Sequence, residues 1–237
     1  MANAAIAEQQ QYYTNRWKRF EKANALELAR AAKILDYMSR VELPRDAAIC
    51  DLGCGAGWLT NILNTFGNAT GVDLSQVDAA RMRYPGCTFE TIDIPNWKRE
   101  GNAFDLVTSS EVIEHIEPKA QPGYLEVAHR ILRPGGYLIL TTPNASTVKA
   151  AGGRAYSNQP LEFWLRAAEL RNLVGRQFEI LAFDSIILNA GNTGLHRIVN
   201  SHTLRSSLGK LGLLRSWELL AGKLSFGLHL TLLARKK

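Results

Sequence analysis

One short stretch, residues 49–60, has the most specific chemical pattern in this 237-residue chain. An apolar segment ends in Asp51, and glycines follow at alternate positions, at Gly53, Gly55 and Gly57. Glycine leaves room for backbone N–H groups to approach a ligand, and a helix after the turn presents the positive end of its dipole there. The pattern therefore predicts a cofactor-binding site.

The spacing of these glycines distinguishes between cofactors. A dinucleotide fingerprint, G-x-G-x-x-G, would need a glycine at position 58, where this chain has Trp58. The run D-x-G-x-G-x-G instead resembles the first motif of class I S-adenosylmethionine-dependent methyltransferases, and a carboxylate at the turn suits the ammonium group of that ligand. The resemblance implies that the cofactor contacts Asp51, Gly53, Cys54, Gly55 and Gly57.

A second acidic residue, Asp73, ends the predicted strand 68–73. It lies close to the distance at which nucleoside-binding folds place a carboxylate that binds ribose. The alternative is that Asp73 caps the helix expected to begin near Ser75. We favour ribose binding, and we include Leu74 among the cofactor contacts.

A third strand is predicted over residues 88–92, and Asp93, Ile94 and Pro95 follow it. By resemblance to the methyltransferases, Asp93 accepts a hydrogen bond from the adenine amine and Ile94 packs on the adenine ring. The alternative is an ordinary turn aspartate before a proline.

Residues 104–110 predict a buried strand of the kind found in parallel sheets, and Glu111, Glu114 and His115 follow directly. Ser110 and Glu111 are expected cofactor contacts, and helix capping is the other role open to Glu111. His115 is the candidate catalytic base, because open α/β sheets bind ligands beyond the carboxyl ends of their strands and imidazole titrates near physiological pH. The alternative is a histidine that only forms a hydrogen bond within its helix.

In a helix, Glu111, Glu114 and His115 would share one face at positions i, i+3 and i+4 and could hold a divalent metal. RNA methyltransferases that resemble this stretch add a histidine downstream, and residues 145–194 contain none. We therefore predict a site without metal in which Glu114 orients His115. A three-ligand magnesium site, as proposed for ubiquinone-type relatives, is the alternative.

Strands alternate with helical segments along the chain, which predicts one α/β domain with a mostly parallel sheet covered on both faces. The turn L-x-P-G-G within residues 130–136 is expected to end a helix and open the strand 137–142. Residues 178–183 and 228–234 supply two more strands. By resemblance, the fold is a Rossmann-like, doubly wound sheet of seven strands, with the last strand antiparallel between the fifth and the sixth.

The resemblance is close over residues 47–144, and its branch is the one with small-molecule acceptors that includes ubiquinone-type O-methyltransferases. An aromatic stripe predicts a helix from Glu8 to Arg40, and core packing is the favoured role of Trp17 and Phe20 in it. By resemblance this helix forms a lid over the cofactor, with Tyr13 a candidate to touch the substrate or the methionine end of the cofactor. The single domain, 1–237, is then a helical cap over 1–45, a cofactor-binding core over 46–186, a basic amphipathic insertion over 187–226 and a final strand over 227–237.

Charge is unevenly distributed. From residue 187 onward, eight basic residues and one acidic residue give a charge of +7, against +6 for the whole chain. Leucines recur there at helical spacing. The insertion is either a wall of the acceptor pocket with solvated cations, or a surface that attracts an anionic acceptor or an anionic membrane. Nucleic acid is a less favoured partner, because no basic run has interleaved aromatic residues.

Cysteine content and apolar runs bear on the cellular compartment. The three cysteines lack C-x-x-C spacing and predict neither a disulfide framework nor a zinc site, and Cys54 is expected to pack within its turn. The start of the sequence lacks a basic leader with an apolar core, and no run reaches the roughly twenty apolar residues of a membrane span. We expect a soluble, cytoplasmic protein.

These features predict methyl transfer from S-adenosylmethionine to a small molecule, with a hydroxyl oxygen favoured over nitrogen or carbon. The leaving thioether is neutral, so the enzyme has to align the reactants, exclude water and remove the proton of a hydroxyl, for which His115 is the candidate. The alternative is a non-catalytic nucleoside-binding protein of the same fold that acts through partners.

Overall fold

The structure, a computed structural model, describes residues 12, 23–75, 77–98, 101, 103–153, 159 and 161–237. The strands are β1 (Ala48–Leu52), β2 (Asn68–Asp73), β3 (Thr88–Thr91), β4 (Phe104–Ser110), β5 (Leu132–Pro143), β6 (Phe178–Ile186) and β7 (His229–Lys236). The α-helices are α1 (Ala25–Met38), α2 (Trp58–Leu63), α3 (Val77–Arg83), α4 (Gln121–Ile131), α5 (Ala145–Ala150), α6 (Ala167–Gly175), α7 (Gly194–Val199), α8 (His202–Lys210) and α9 (Leu214–Lys223). Short 3₁₀ helices span Ile94–Asn96 and Ile113–His115.

The seven strands form one sheet in the order β3-β2-β1-β4-β5-β7-β6. Strands β1 to β5 pair in parallel, and β7 is antiparallel to both β5 and β6. The predicted Rossmann-like sheet with its antiparallel last strand is thus confirmed. Because β7 runs in the opposite direction, its first residue, His229, lies beside Pro143 and Ile186, at the edge where the parallel strands end.

Alternation along the strands divides the apolar core between the two faces of the sheet. On one face, Ile49, Leu106, Ile139 and Leu233 pack with α1 and α2. On the other face, the strands pack against α4 and α6 in a larger cluster that includes Cys50, Leu52, Val107, Leu138 and Leu140. Both faces are therefore covered, as a parallel sheet requires.

The predicted continuous helix from Glu8 to Arg40 is wrong across Asn24. The Asn24 side chain accepts from the backbone of Leu26 and Glu27, and the Glu27 carboxylate accepts from the Asn24 N–H, so a capping box starts α1 at Ala25. Tyr13 lies outside the described residues.

The predicted helix-to-strand turn at L-x-P-G-G is confirmed, because α4 ends at Ile131 and β5 follows directly, but the strand begins before Tyr137. Strand β5 begins at Leu132, which pairs with Phe104, and the next paired residue on β5 is Tyr137, opposite Leu106. The extra residues form a bulge in which Gly135 has φ +74°. Arg133 binds Asp105 at the bulge, with Nη1 2.7 Å from Oδ1, so pairing with β4 takes over as soon as α4 ends.

The insertion folds into three short helices, α7 to α9. Gly212, with φ +70°, separates α8 from α9. Arg205 of α8 binds Glu218 of α9 at 2.6 Å, and the indole N–H of Trp217 donates to Val199 O at 3.3 Å. These contacts join the three helices. No helix among the described residues is long and apolar enough to cross a membrane.

We predict that Gly57→Ala destabilises the fold by roughly 2–4 kcal/mol, because Gly57 has φ +81° and an added Cβ would lie 2.7 Å from the Phe89 ring. Gly135→Ala is the control, since Gly135 has φ +74° but open space around it, and should cost about 1 kcal/mol. Urea unfolding measures both variants, and equal losses would refute the packing constraint at Gly57.

Candidate active site

The glycine turn follows β1 at the edge of the sheet where the parallel strands end. The N–H groups of Gly53 and Cys54 donate to Val72 O, at 2.8 and 3.1 Å, which fixes the turn against β2. Gly53 has φ +77°, and a Cβ there would lie 2.4 Å from Val112. Cys54 is buried with Val77 and other apolar residues, and burial raises the pKa of its thiol.

Asp51 lies below this turn and is 1% exposed. Its Oδ2 accepts from the Thr60 hydroxyl at 2.7 Å, and its Oδ1 accepts from the Thr108 hydroxyl at 3.0 Å. Burial raises the pKa of Asp51 to about 6, although both hydroxyls act in the opposite direction. The site therefore retains a buried carboxylate whose charge has no cationic partner among the contacts that the structure describes.

Thr60 and Thr108 did not emerge from the sequence as site residues. Thr60 is in the first turn of α2, and Thr108 lies directly opposite Asp51 in the parallel pair of β1 and β4. The register of that pair would have identified Thr108, and a single sequence does not give the register.

Asp73 ends β2 and holds the glycine turn. Its Oδ2 accepts from the Gly55 N–H at 3.0 Å, and its Oδ1 accepts from the Ser75 N–H at 2.9 Å. Helix α3 begins later, at Val77, and Leu74 is 42% exposed. The Ser75 hydroxyl also donates to Oδ1, at 3.2 Å, whereas Oδ2 accepts one described hydrogen bond, so Asp73 holds the turn and is able to accept from a ligand at Oδ2.

Asp93 follows β3 at the same edge. The preceding residue, Ile92, donates its N–H to Asp73 O at 2.9 Å, which brings the two acidic positions close together. The Asp93 carboxylate accepts from the Asn96 amide at 2.7 Å, while Ile94 is buried in the main apolar cluster. The exposed position of Asp93 leaves its carboxylate accessible to a ligand.

After β4, the chain turns sharply at Glu111, which has φ +60°. Its Oε1 accepts from the Thr141 hydroxyl at 3.0 Å, and that hydroxyl also lies 3.1 Å from the hydroxyl of Ser110. Its Oε2 is 2.8 Å from His229 Nδ1, and Oε1 is 4.0 Å from Arg30 Nε. Glu111 therefore joins three elements, β5, β7 and α1.

Helix α1 holds Arg30 in place through contacts further along its length. The hydroxyl of Tyr37 and the ammonium of Lys33 both donate to Asp184 of β6, at 3.0 and 2.9 Å. His229, which sequence reasoning missed, has its side chain 7% exposed and comes 118 positions after Glu111. No local pattern indicates a contact over that separation.

The prediction that Glu111, Glu114 and His115 share a helical face is wrong. Only a single 3₁₀ turn forms, Ile113–His115, and Glu111 precedes it in the left-handed conformation. Glu111 faces His229, whereas the Glu114 carboxylate accepts from the Thr142 hydroxyl at 2.9 Å. Within the described parts of the chain, no three or more His, Cys, Asp or Glu residues are grouped so as to hold a metal ion.

His115 has a defined orientation. Its Nδ1 is 2.7 Å from Leu161 O, and because a carbonyl only accepts, Nδ1 carries the proton of the neutral ring. Nε2 therefore carries the lone pair, and it lies 3.8 Å from Glu114 Oε1. Glu114 O also accepts from the Phe163 N–H, so the segment after α5 packs against this turn.

The two glutamates of this turn differ in protonation. Burial alone would raise the pKa of Glu111, but the charges of His229 and Arg30 lower it to about 2. Burial, together with the charge of Glu111, raises the pKa of Glu114 well above its usual value. At neutral pH Glu111 is therefore ionised, whereas Glu114 releases its proton less readily than an ordinary glutamate, and such a separation of pKa values is typical of functional carboxyl pairs.

Replacement of each carboxyl by an amide tests this assignment. At pH 7, Glu111→Gln should lower the free energy of unfolding by about 3 kcal/mol, because it leaves Arg30 and His229 without an anion. The folded pKa of Glu111 is depressed, so the loss should shrink as the pH falls from the unfolded value, 4.5, toward about 2. Glu114→Gln is the matched control and should change stability little; equal losses would contradict the assignment.

Comparison with known proteins places this geometry in a family. Residues 19–213 match the family model described as a methyltransferase domain. The trans-aconitate 2-methyltransferase of Variovorax paradoxus is 33% identical over 117 residues, which are 46% of this chain and 43% of that protein. The human mitochondrial ubiquinone biosynthesis O-methyltransferase is 31% identical over 127 residues, 47% of this chain and 32% of that protein. The chain thus spans less than half the length of these curated relatives.

The fold has a similar solved counterpart. The N-methyltransferase NodS from Bradyrhizobium japonicum, determined in complex with S-adenosyl-l-homocysteine, superposes with a TM-score of 0.66 at 15% identity, over 97% of this chain and 98% of that one. At 15% identity this superposition establishes the fold alone. Membership of the family rests on the match to the methyltransferase domain, which covers most of the chain. The chain therefore belongs to the class I S-adenosylmethionine-dependent methyltransferase family.

Proposed function

We propose that this chain binds S-adenosylmethionine at the glycine turn and transfers its methyl group to a hydroxyl oxygen of a small molecule. The observation that carries this proposal is the buried carboxylate of Asp51 under a turn that only glycine can form. A negative charge kept in the protein interior without a described cationic partner is costly, and a cationic ligand at the turn would compensate for it.

The described residues fit this cofactor. A Cβ at Gly53 would clash with Val112, so this position requires glycine, which carries no side chain to shield its backbone from a ligand. Asp51 provides negative charge for the ammonium and sulfonium groups, Asp73 provides acceptors for the ribose hydroxyls, and Asp93 provides an acceptor for the adenine amine. Ser110 and Glu111 flank the same edge of the sheet.

The acceptor site is proposed to adjoin the turn after β4. Bound S-adenosylmethionine supplies an electrophilic methyl group whose leaving group is a neutral thioether. His115 Nε2 takes the proton of the acceptor hydroxyl as the oxygen forms its bond to the methyl carbon, which leaves an imidazolium held at Nδ1 by Leu161 O. Glu114 Oε1 lies 3.8 Å from Nε2, and we assign Glu114 the role of orienting the ring.

The names of two relatives support a small acceptor and transfer to oxygen. One is named for trans-aconitate, a small organic anion, and the other is named an O-methyltransferase of ubiquinone biosynthesis. Tyr13 remains our prediction for a substrate contact from the N-terminal region.

We predict that His115→Ala leaves the affinity for S-adenosylmethionine nearly unchanged and slows methyl transfer by about 100-fold, because it removes the base but no cofactor contact. Calorimetry measures the affinity, and transfer of labelled methyl to a panel of phenols, aliphatic alcohols, carboxylates and amines measures turnover. Absence of any binding by the wild-type protein would reject the proposed function, and full activity of His115→Ala would reject only its base.

Asp51→Asn should have opposite effects on stability and on binding. The pKa of Asp51 is about 6 in the folded protein, whereas its ordinary value is 3.8. Between these two values the folded state binds more protons than the unfolded state, so the protein loses stability as the pH rises from about 4 to 6. At pH 7.5, removal of the charge should therefore stabilise the ligand-free protein by up to about 3 kcal/mol, while weakening S-adenosylmethionine binding at least tenfold. Asp46→Asn, at an exposed site, is the control for both measurements. Unchanged cofactor affinity in Asp51→Asn would exclude Asp51 as a determinant of binding.

A further inference from the structure

Exposed apolar side chains are concentrated in the insertion, residues 187–226. Among the described residues, thirteen large hydrophobic side chains are exposed, and seven of them belong to this segment. They are Leu195, Ile198, Leu211, Leu213, Leu219, Leu220 and Leu224. Isolated exposed leucines are ordinary, but this density in one short segment indicates an interaction surface.

Helix α9 shows why its leucines face outward. The small residues Ala221 and Gly222 are the buried positions of this helix, and Gly222 O accepts from the Ser185 hydroxyl at 2.9 Å. A Cβ at Gly222 would lie 2.9 Å from Ser185 O, so close packing against β6 requires glycine here. The small residues therefore face the sheet, and Leu219 and Leu220 are 62% and 49% exposed.

Cations share this outward face. Arg215, Leu219 and Lys223 are spaced by four residues, which places them in one row along α9. Leu220 and Leu224 form the neighbouring row by the same spacing. We call these five residues the outer face of α9.

The charge of the insertion is not neutralised within it. Its one acidic residue, Glu218, is bound to Arg205 at 2.6 Å, so this pair cancels. The other four basic residues of the insertion, Arg197, Lys210, Arg215 and Lys223, are all exposed. Arg205 thus joins α8 to α9, and the remaining four cations face solvent.

We propose that the outer face of α9, with the adjacent exposed residues of α7 and α8, docks on an anionic lipid bilayer. Leucines beside lysine and arginine suit the boundary between acyl chains and anionic headgroups, whereas a polyanion such as nucleic acid gains nothing from exposed leucines. This inference goes beyond the proposed reaction and does not depend on it.

The docking surface adjoins the catalytic edge of the sheet. His196 of α7 is 2.9 Å from the hydroxyl of Thr147 in α5, directly after β5. The Asn144 amide donates to Ser225 O at 2.7 Å, just beyond α9. A bilayer bound to the insertion would therefore lie near the acceptor side of the site.

The test is flotation of the full chain with vesicles of phosphatidylcholine containing 40% phosphatidylglycerol, against vesicles of phosphatidylcholine alone. We expect binding to the anionic vesicles at 0.1 M salt, at least tenfold weaker binding to the neutral vesicles, and release at 0.5 M salt. Leu219→Gln, Leu220→Gln and Leu224→Gln combined should weaken binding at least tenfold. A second variant replaces four cations by Gln, and its binding to the anionic vesicles should be weaker by about 100-fold. The four cations are Arg197, Lys210, Arg215 and Lys223.

Matched controls use equally exposed residues outside the insertion. Two control variants should leave vesicle binding unchanged. One combines Leu28→Gln, Met82→Gln and Leu181→Gln. The other places Gln at Arg45, Arg83, Lys98 and Arg176. S-adenosylmethionine affinity, measured without vesicles, should be equal in all four variants. It reports on folding and on the proposed function separately from docking.

Four outcomes would overturn the proposal. The first two are that the wild-type chain does not float with anionic vesicles, or that it floats equally well with neutral ones. The third is that it binds duplex DNA as tightly as the vesicles and that the leucine substitutions leave this binding unchanged. The fourth is that sedimentation shows a dimer which the leucine substitutions dissociate. The dimer would assign the apolar face to a second copy of the chain.

Discussion

The burial of the Asp51 carboxylate is the constraint on which the site depends. The two hydroxyls that bind it come from α2 and β4, so a single charged group joins the helix after the glycine turn to the strand that leads to Glu111. Without a cationic ligand this charge opposes folding. In the proposed function the same carboxylate contributes to the binding of a cationic cofactor.

Around the turn after β4, electrostatics separates two chemically identical side chains. Arg30 and His229 lower the pKa of Glu111, whereas burial and the charge of Glu111 raise the pKa of Glu114, which lies beside His115. The positive φ of Glu111 turns its side chain away from the 3₁₀ helix that follows. Because Arg30 belongs to α1, the protonation pattern of the site also depends on the packing of a helix that precedes the whole sheet.

Sequence alone predicted the strands and the acidic residues at their ends, because local patterns encode these features. The place of the last strand, between the fifth and the sixth, came from the family resemblance. The sequence predicted that Asp73 lies at the edge of the sheet, but not that Asp73 accepts a hydrogen bond from Gly55. It predicted Asp51, but not the hydrogen bond that Asp51 accepts from Thr108. Both hydrogen bonds depend on the register of neighbouring strands. His229 escaped notice because its partner is distant in the chain. The continuous N-terminal helix and the shared face of Glu111 and His115 failed because a capping box and a left-handed residue overrode the periodicity.

The antiparallel pair of β6 and β7 has a consequence for the evolution of this domain. Ile186 and His229 are paired neighbours, so all three helices of the insertion form one long hairpin loop that leaves and re-enters the sheet at a single point. Replacement of such a loop requires no change in strand order and none in the glycine turn after β1. The length and sequence of this loop can therefore vary while the sheet and its edge stay unchanged.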